Sequence, residues 1–290
     1  MCGDRIRDLP CWEHVISIEP LAGGITNRNF LVSEPSRKCV VRMLSDGARL
    51  GIDRRNERVC QQAAMQAGVS PDLVYADTTF LVTEFITGNT LTTADLQSQI
   101  MQQRLADLLT TVHETRPALD QQMLYFCPFQ TVRMYLRTAR ELQAELPVDI
   151  DELVGSVQQL ADRMQPFQPT LCHNDLLPAN LIDDGQRLWL IDWEYAGIGN
   201  PLFDLAGVAA NFQLTPEQTE DMLGCYLGDT LTAAALWDVR ALCAASLLRE
   251  ALWAVIQTRS SDLDFDFGQY ATEHLDAYRG AVDRLSDGPG

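Results

Sequence analysis

Between residues 171 and 197 the chain reads LCHNDLLPANLIDDGQRLWLIDWEYAG, which sets His173, Asp175, Asn180, Asp192 and Glu194 among strand-forming leucine, isoleucine and tryptophan. Pro178 lacks an amide hydrogen and holds Leu177 extended, so Asp175 and Asn180 cannot share one regular helix and belong to a shaped loop. Asp183-Asp184-Gly185 is a hairpin signal, so the runs NLI and RLWLI pair as two short strands and return Asp192 beside Asn180. An amide oxygen and a carboxylate then converge at one end of a hairpin. Hard oxygen donors with few carboxylates suit a Mg2+ ion that keeps waters and shares its other positions with phosphate oxygens. With Asp175 close by to orient a hydroxyl, the set has the chemistry of a phosphoryl-transfer site. His173 is expected to brace the loop backbone rather than to react.

The residues on either side differ in kind. Residues 13 to 44 read as three strands, EHVISIEPL, NFLVS and KCVVRML, turned at Gly23-Gly24 and at Glu34-Pro35-Ser36. The helix pattern IDRRNERVCQQAAMQAG follows, closed by Gly68, and then the strand-like DLVYAD and TFLVTEFI. From Leu91 onward helical patterns dominate, at about 93–115, 129–146 and 150–164, and after the opening segment near 201–212, 216–227, 232–259 and 267–285. Thr215-Pro216-Glu217-Gln218 marks one helix start, with a hydroxyl cap, proline at the first helical position and glutamine at the third. The expected fold is α+β and bilobal, with a small β-rich N-terminal lobe holding one helix and a larger, mostly helical C-terminal lobe. Residues 1–87 would bind nucleotide, and 88–290 would carry catalysis and the substrate. The boundary falls in TEFITGNTL, 83–91, where Gly88 and Asn89 permit a hinge.

A kinase-like site also needs a loop over the phosphates, a cation on the third strand and a carboxylate on the next helix to hold that cation. LAGGITNRNFLV supplies Gly23 and Gly24, which let backbone N–H groups approach phosphate, with Thr26 and Asn27 as further donors. The chain's sole lysine, Lys38, lies at the start of the third strand, four residues early. CVVR therefore makes Arg42 the cation, with a planar fork that grips phosphate oxygens. Glu57, in RRNERV, is the expected helix partner.

Charge and cysteine usage narrow the partners. The 22 basic against 40 acidic residues leave a net charge of -18, which disfavours nucleic acid and anionic membranes and favours small cationic molecules. No C-x-x-C pair occurs, and Cys39, Cys172 and Cys243 sit in apolar runs, so disulfides are not implied. The N-terminus lacks an apolar signal segment, and the most apolar helix is interrupted by Asp238, Arg240, Arg249 and Glu250. A cytoplasmic setting without stable membrane insertion is expected.

GGITNRNF, VVRML, RRNE, CHNDLLPANLI and LWLIDWEYAGIGNPLFDLA together resemble segments of the choline/ethanolamine kinase family, bacterial type, within the aminoglycoside phosphotransferase-like and protein-kinase-like folds. The resemblance spans nearly the whole chain. It implies ATP and Mg2+ as cofactors, Asp175 as catalytic base, Asn180 and Asp192 as Mg2+ ligands, and Asp204 in LFDLA as a buried brace of the catalytic loop. Members of the family hold a trimethylammonium head against aromatic faces and carboxylates. Candidates for that role are Glu194, Tyr195, Trp253 and Tyr270. Trp253 in REALWAVIQ resembles the second tryptophan of a W-x-x-W pair, whose first position is Glu250 here. A carboxylate there either receives an ammonium hydrogen bond, favouring ethanolamine or another primary amine, or faces solvent. The segment DLDFDFGQY, 262–270, suits a cation-facing lip, unless Asp266 serves to cap the last helix.

The expected activity is phosphorylation of the hydroxyl of a small amino alcohol, choline first and ethanolamine second. A thiamine kinase or aminoglycoside phosphotransferase would share the phosphate machinery. A catalytically silent binding protein is the reading of another class, against which the retention of Asp175, Asn180 and Asp192 stands. The number of copies in an assembly is left open, a homodimer included.

Overall fold

Short strand-forming runs build the first third of the chain. The structure is a computed structural model that describes residues 2–21, 28–45, 47–116, 122–145, 150–261, 263 and 265–286. A short helix, α1 (Cys2–Arg7), precedes the antiparallel strands β1 (Ser17–Leu21), β2 (Arg28–Ser33) and β3 (Lys38–Met43). Helix α2 (Arg54–Gln66) follows, and then β4 (Leu73–Ala76) and β5 (Phe80–Glu84). The sheet runs in the order β1-β2-β3-β5-β4. Register pairs Leu31 with Val40 and Val41 with Val82, which points Val32, Cys39, Val41 and Val82 into one small core. Ile6 of α1 completes that core, and Trp12 Nε1 donates to the Ile6 carbonyl. The sequence reading had no such helix: six residues are too few to show a helical period.

Local signals fix α2 at both ends. The Asp53 carboxylate accepts from the backbone N–H groups of Arg55 and Asn56, and Gly68 follows the last turn with φ of 73°. Side chains on this helix therefore stand at a defined height over the sheet, Glu57 among them.

The remainder is mostly helical, as expected. Strand β6 (Asn89–Thr90) leads to α3 (Gln99–Glu114), α4 (Pro128–Glu141) and α5 (Ile150–Arg163). Strands β7 (Thr170–Cys172), β8 (Leu181–Asp183), β9 (Leu188–Leu190) and β10 (Gly197–Gly199) come next. Helices α6 (Pro201–Asn211), α7 (Pro216–Leu227), α8 (Ala233–Ser260) and α9 (Phe267–Ser286) close the described chain. Thr215 and Gln218 form the reciprocal cap that opens α7. Helix α8 is apolar on nearly every side and packs against α4, α6 and α9, the mark of a central buried helix.

Two small sheets hold the site loops, β6-β8-β9 and β10-β7. Gly88, expected to permit a hinge, has a tighter duty: a Cβ there would lie 2.5 Å from the Asp183 carbonyl oxygen. That close approach lets Asn89 and Thr90 pair with Asp183 and Ile182. Arg104 of α3 then grips both Asp183 carboxylate oxygens at 2.7 and 2.8 Å. Among the described residues, no helix is long and apolar enough to cross a membrane, and the described cysteines other than Cys2 are free thiols.

Candidate active site

The loop after β7 is shaped by its neighbours' side chains. Asn174 has φ of 64°, Leu177 is extended ahead of Pro178, and Pro178–Asn180 makes a single 3-10 turn. Asp204, on α6, accepts from the backbone N–H of His173 at 2.8 Å and of Asn174 at 2.7 Å. His113 of α3 reaches the same carboxylate with Nε2 at 3.1 Å, while its Nδ1 meets the Tyr226 hydroxyl at 2.7 Å. Burial works against a charge on Asp204, but the bonds and charge of His113 prevail and hold its pKa below the usual carboxylate range. A helix carboxylate thus takes the place of a strand partner for the loop backbone.

His173 is a brace. Its Nε2 donates to the Ile191 carbonyl at 2.9 Å and its Nδ1 accepts from the Asp175 N–H at 3.3 Å, which is the neutral tautomer. Burial lowers its pKa, consistent with a ring that stays uncharged.

The hairpin closes as its sequence predicts. Leu181 pairs with Leu190, Gly185 takes φ of 88°, and the Ile191 N–H donates to the Asn180 carbonyl at 3.0 Å. Asn180 Nδ2 donates to the Asp175 carbonyl at 2.9 Å, and Asp192 follows with φ of 67°. Asp175, Asn180 and Asp192 therefore lie on one edge of the hairpin.

Arg42 faces this edge from the middle of β3. It is ion-paired with Glu57 and with Asp192, and Glu194 Oε2 lies 4.0 Å away. Burial disfavours its charge, but the carboxylates of Asp192 and Glu194 more than offset this and raise its pKa. Lys38 stands at the exposed start of the same strand, opposite Ser33. Arg54 was not foreseen: its Nη1 bonds Glu57 at 2.8 Å and Glu194 at 3.1 Å. The signal lay in RRNE, where Arg54 and Glu57 are three apart on one helix face. Glu194, expected among the substrate groups, is instead buried between the two arginines. Burial and the Asp192 charge raise its pKa.

A second cluster surrounds Asp175. Arg249 Nη2, from α8, lies 2.5 Å from Asp175 Oδ1 and 2.5 Å from Glu250 Oε1. The Tyr270 hydroxyl donates to Glu250 Oε2 at 3.1 Å, and the Arg249 guanidinium stands 4.9 Å over the Tyr195 ring. Burial pushes the Asp175 carboxyl up to about 7; Arg249 opposes that rise and Glu250 adds to it. Glu250 is buried, with its two oxygens on Arg249 and Tyr270 and not in solvent. Trp253 meets Tyr270 edge-on at 6.1 Å and Phe267 at 5.7 Å, inside the large core. Asp266 accepts from the Gln269 N–H at 2.9 Å and so caps α9. Arg249 was missed; the sequence showed it only as an interruption of an apolar helix. Gly23, Gly24, Thr26 and Asn27 lie outside the described residues.

A β-sheet that presents a buried arginine–glutamate pair to an Asp-Asn-Asp loop on a helical half is the architecture of a kinase-like phosphotransferase. The chain belongs to the phosphotransferase enzyme family, which it matches over residues 17–244, and within that family it groups with the choline and ethanolamine kinases. It is 30% identical to ethanolamine kinase 2 of Mus musculus, over 94% of this chain and 78% of that protein. A choline/ethanolamine kinase family protein from Mesorhizobium loti is 26% identical with a TM-score of 0.78, covering 100% of this chain and 96% of its own. The choline kinase LicA from Streptococcus pneumoniae shares the fold, with a TM-score of 0.82 at 23% identity over 98% and 100% of the two chains.

Proposed function

We propose that this enzyme transfers the γ-phosphoryl group of ATP to the hydroxyl of a small amino alcohol of the choline or ethanolamine kind. The observation that carries this reading is the placement of Asp175, a buried carboxyl pushed up to about 7, on the same hairpin edge as Asn180 and Asp192. Asp175 takes the hydroxyl proton as the alcohol oxygen bonds to the γ-phosphorus. The bond to the β,γ-bridging oxygen breaks, its electron pair leaves with ADP, and the proton remains on Asp175. A base poised near neutrality matches that task.

Arg42, held by Glu57, is the cation for the phosphates, and Gly23, Gly24, Thr26 and Asn27 are the residues whose chemistry suits a phosphate-covering segment. Asn180 and Asp192 fit Mg2+: both offer hard oxygens, and Asn180 has committed its amide nitrogen to the Asp175 carbonyl. The ion would neutralise charge on the transferring phosphoryl group. On this reading residues 1–87 serve the nucleotide and 88–290 the alcohol. Tyr195, Tyr270 and Trp253 supply aromatic surface for the ammonium, with the carboxylates of Asp175 and Glu250 behind it.

A coupled ADP-release assay over choline, ethanolamine, thiamine and kanamycin tests the reading. Turnover is expected with choline or ethanolamine. Turnover confined to thiamine or kanamycin would overturn the substrate class, and none with any of the four despite ATP binding would favour a silent binding protein.

A further inference from the structure

Arg249 sits in the middle of the most buried helix, 3% exposed, where a charge is costly unless its contacts repay desolvation. Its contacts are oddly divided. Nη2 alone meets both Asp175 Oδ1 and Glu250 Oε1, each at 2.5 Å, while Nε and Nη1 are buried with no hydrogen-bond partner among the described residues. For packing alone, an apolar side chain of similar volume would serve as well and leave no donor unmet. What a guanidinium adds is a grip on one oxygen of Asp175. Glu250 and the Tyr270 hydroxyl fix that grip from behind, and the Tyr195 ring supports it from below.

We propose that Arg249 is a positioning residue for the base: it holds Asp175 Oδ1 and leaves Oδ2 to accept the proton of the alcohol, with Glu250 as its anchor. The inference rests on the reading of Asp175 as base. The terminal torsion of an aspartate is broad and roughly two-fold, so an untethered carboxylate meets the hydroxyl in many orientations. Tying one oxygen to a side chain fixed in the core removes that freedom before the substrate arrives. Glu250 then belongs to the base as a strut, held between Arg249 and the Tyr270 hydroxyl.

A double-mutant cycle on the full chain, read as turnover with ATP and ethanolamine or choline, tests this. Arg249→Met should lower kcat on the order of 30- to 100-fold while the KM for ATP changes less than about twofold. Arg249→Lys keeps the charge without the planar fork and should lose only about tenfold. In an Asp175→Asn background, Arg249→Met should add less than about a twofold loss, because no base remains to be positioned. Equal losses in the two backgrounds, or a kcat for Arg249→Met within about threefold of the parent, overturn the proposal. Because Arg249→Met strands two buried carboxylates, Arg249→Met/Glu250→Gln is made alongside it. If both variants fail to fold, Arg249 is a structural residue and the proposal falls. Near-normal turnover of Asp175→Asn by itself strikes the base reading instead, a separate failure visible in the single variant.

Discussion

The two charged clusters of the site are built to opposite plans. Around Arg42, side chains from β3, α2 and the segment after β9 set two arginines against Glu57, Asp192 and Glu194, and Asp192 remains 30% exposed at its side chain. Around Arg249, which stands over the Tyr195 ring, one guanidinium is set against Asp175 and its helix neighbour Glu250, all three buried and so sealed from bulk water. With every carboxylate ionised, each cluster carries one more negative charge than positive. On the proposed reading, the open cluster leaves that excess at the part-exposed Asp192, where a metal–nucleotide complex would reach it, and the sealed one keeps it beside Asp175. The proposed division of labour, binding at one end and proton transfer at the other, thus rests on similar charge, with the exposure of Asp192 as the main difference.

The sharpest way to break this contrast is at the open cluster. Asp192→Ala removes an anionic metal ligand and should abolish Mg2+-dependent nucleotide binding; an unchanged magnesium titration would remove Asp192 from the metal site. Asp175→Asn is expected to cut turnover on the order of 100-fold or more and to leave ATP binding nearly intact, since it deletes the proton acceptor and keeps the shape. Parallel losses in both quantities would mean that the clusters act as one.

Arg42→Ala should raise the KM for ATP on the order of tenfold and spare the KM for the alcohol, whereas Lys38→Ala should change neither. If Lys38→Ala proved the damaging change, the nucleotide would lie nearer the exposed end of β3 than this register allows. An effect of similar size, but on the alcohol alone, is expected at the rim of the sealed cluster. Trp253→Ala removes an aromatic face worth roughly 1 to 2 kcal/mol to a desolvated ammonium, an affinity loss of about five- to thirty-fold confined to the alcohol. Its melting temperature must be followed as well, because Trp253 packs on Phe267. An unchanged KM for every amino alcohol would leave Trp253 as core packing alone.

Legibility in the sequence followed the same division. The strands, the hairpin and most helix boundaries could be read because each rests on a local cause: strand-forming runs between turn residues for β2 and β3, Asp-Gly for the β8–β9 turn, Thr-Pro for the start of α7. Arg42, Glu57, Asn180 and Asp192 could be singled out because each ends or flanks such an element. Arg249 could not. A helix that is apolar all round has no polar face from which to infer where a charge points, and its partner Asp175 is 74 residues away. That Glu194 meets Arg54 and Arg42 was hidden for a related reason. Its neighbour in sequence, Tyr195, does lie under Arg249, but successive residues in an irregular segment need not face the same way.

The depth of α8 bears on how the enzyme loses function under stress. Amide hydrogens of a helix packed on α4, α6 and α9 exchange with solvent only when the whole molecule opens, whereas peripheral elements fray at far lower free energy. Arg249, Glu250 and Trp253 all ride on the buried stretch of that helix, where slow exchange is expected. The α8 residues of the sealed cluster are therefore expected to keep their arrangement through partial openings that spare the core.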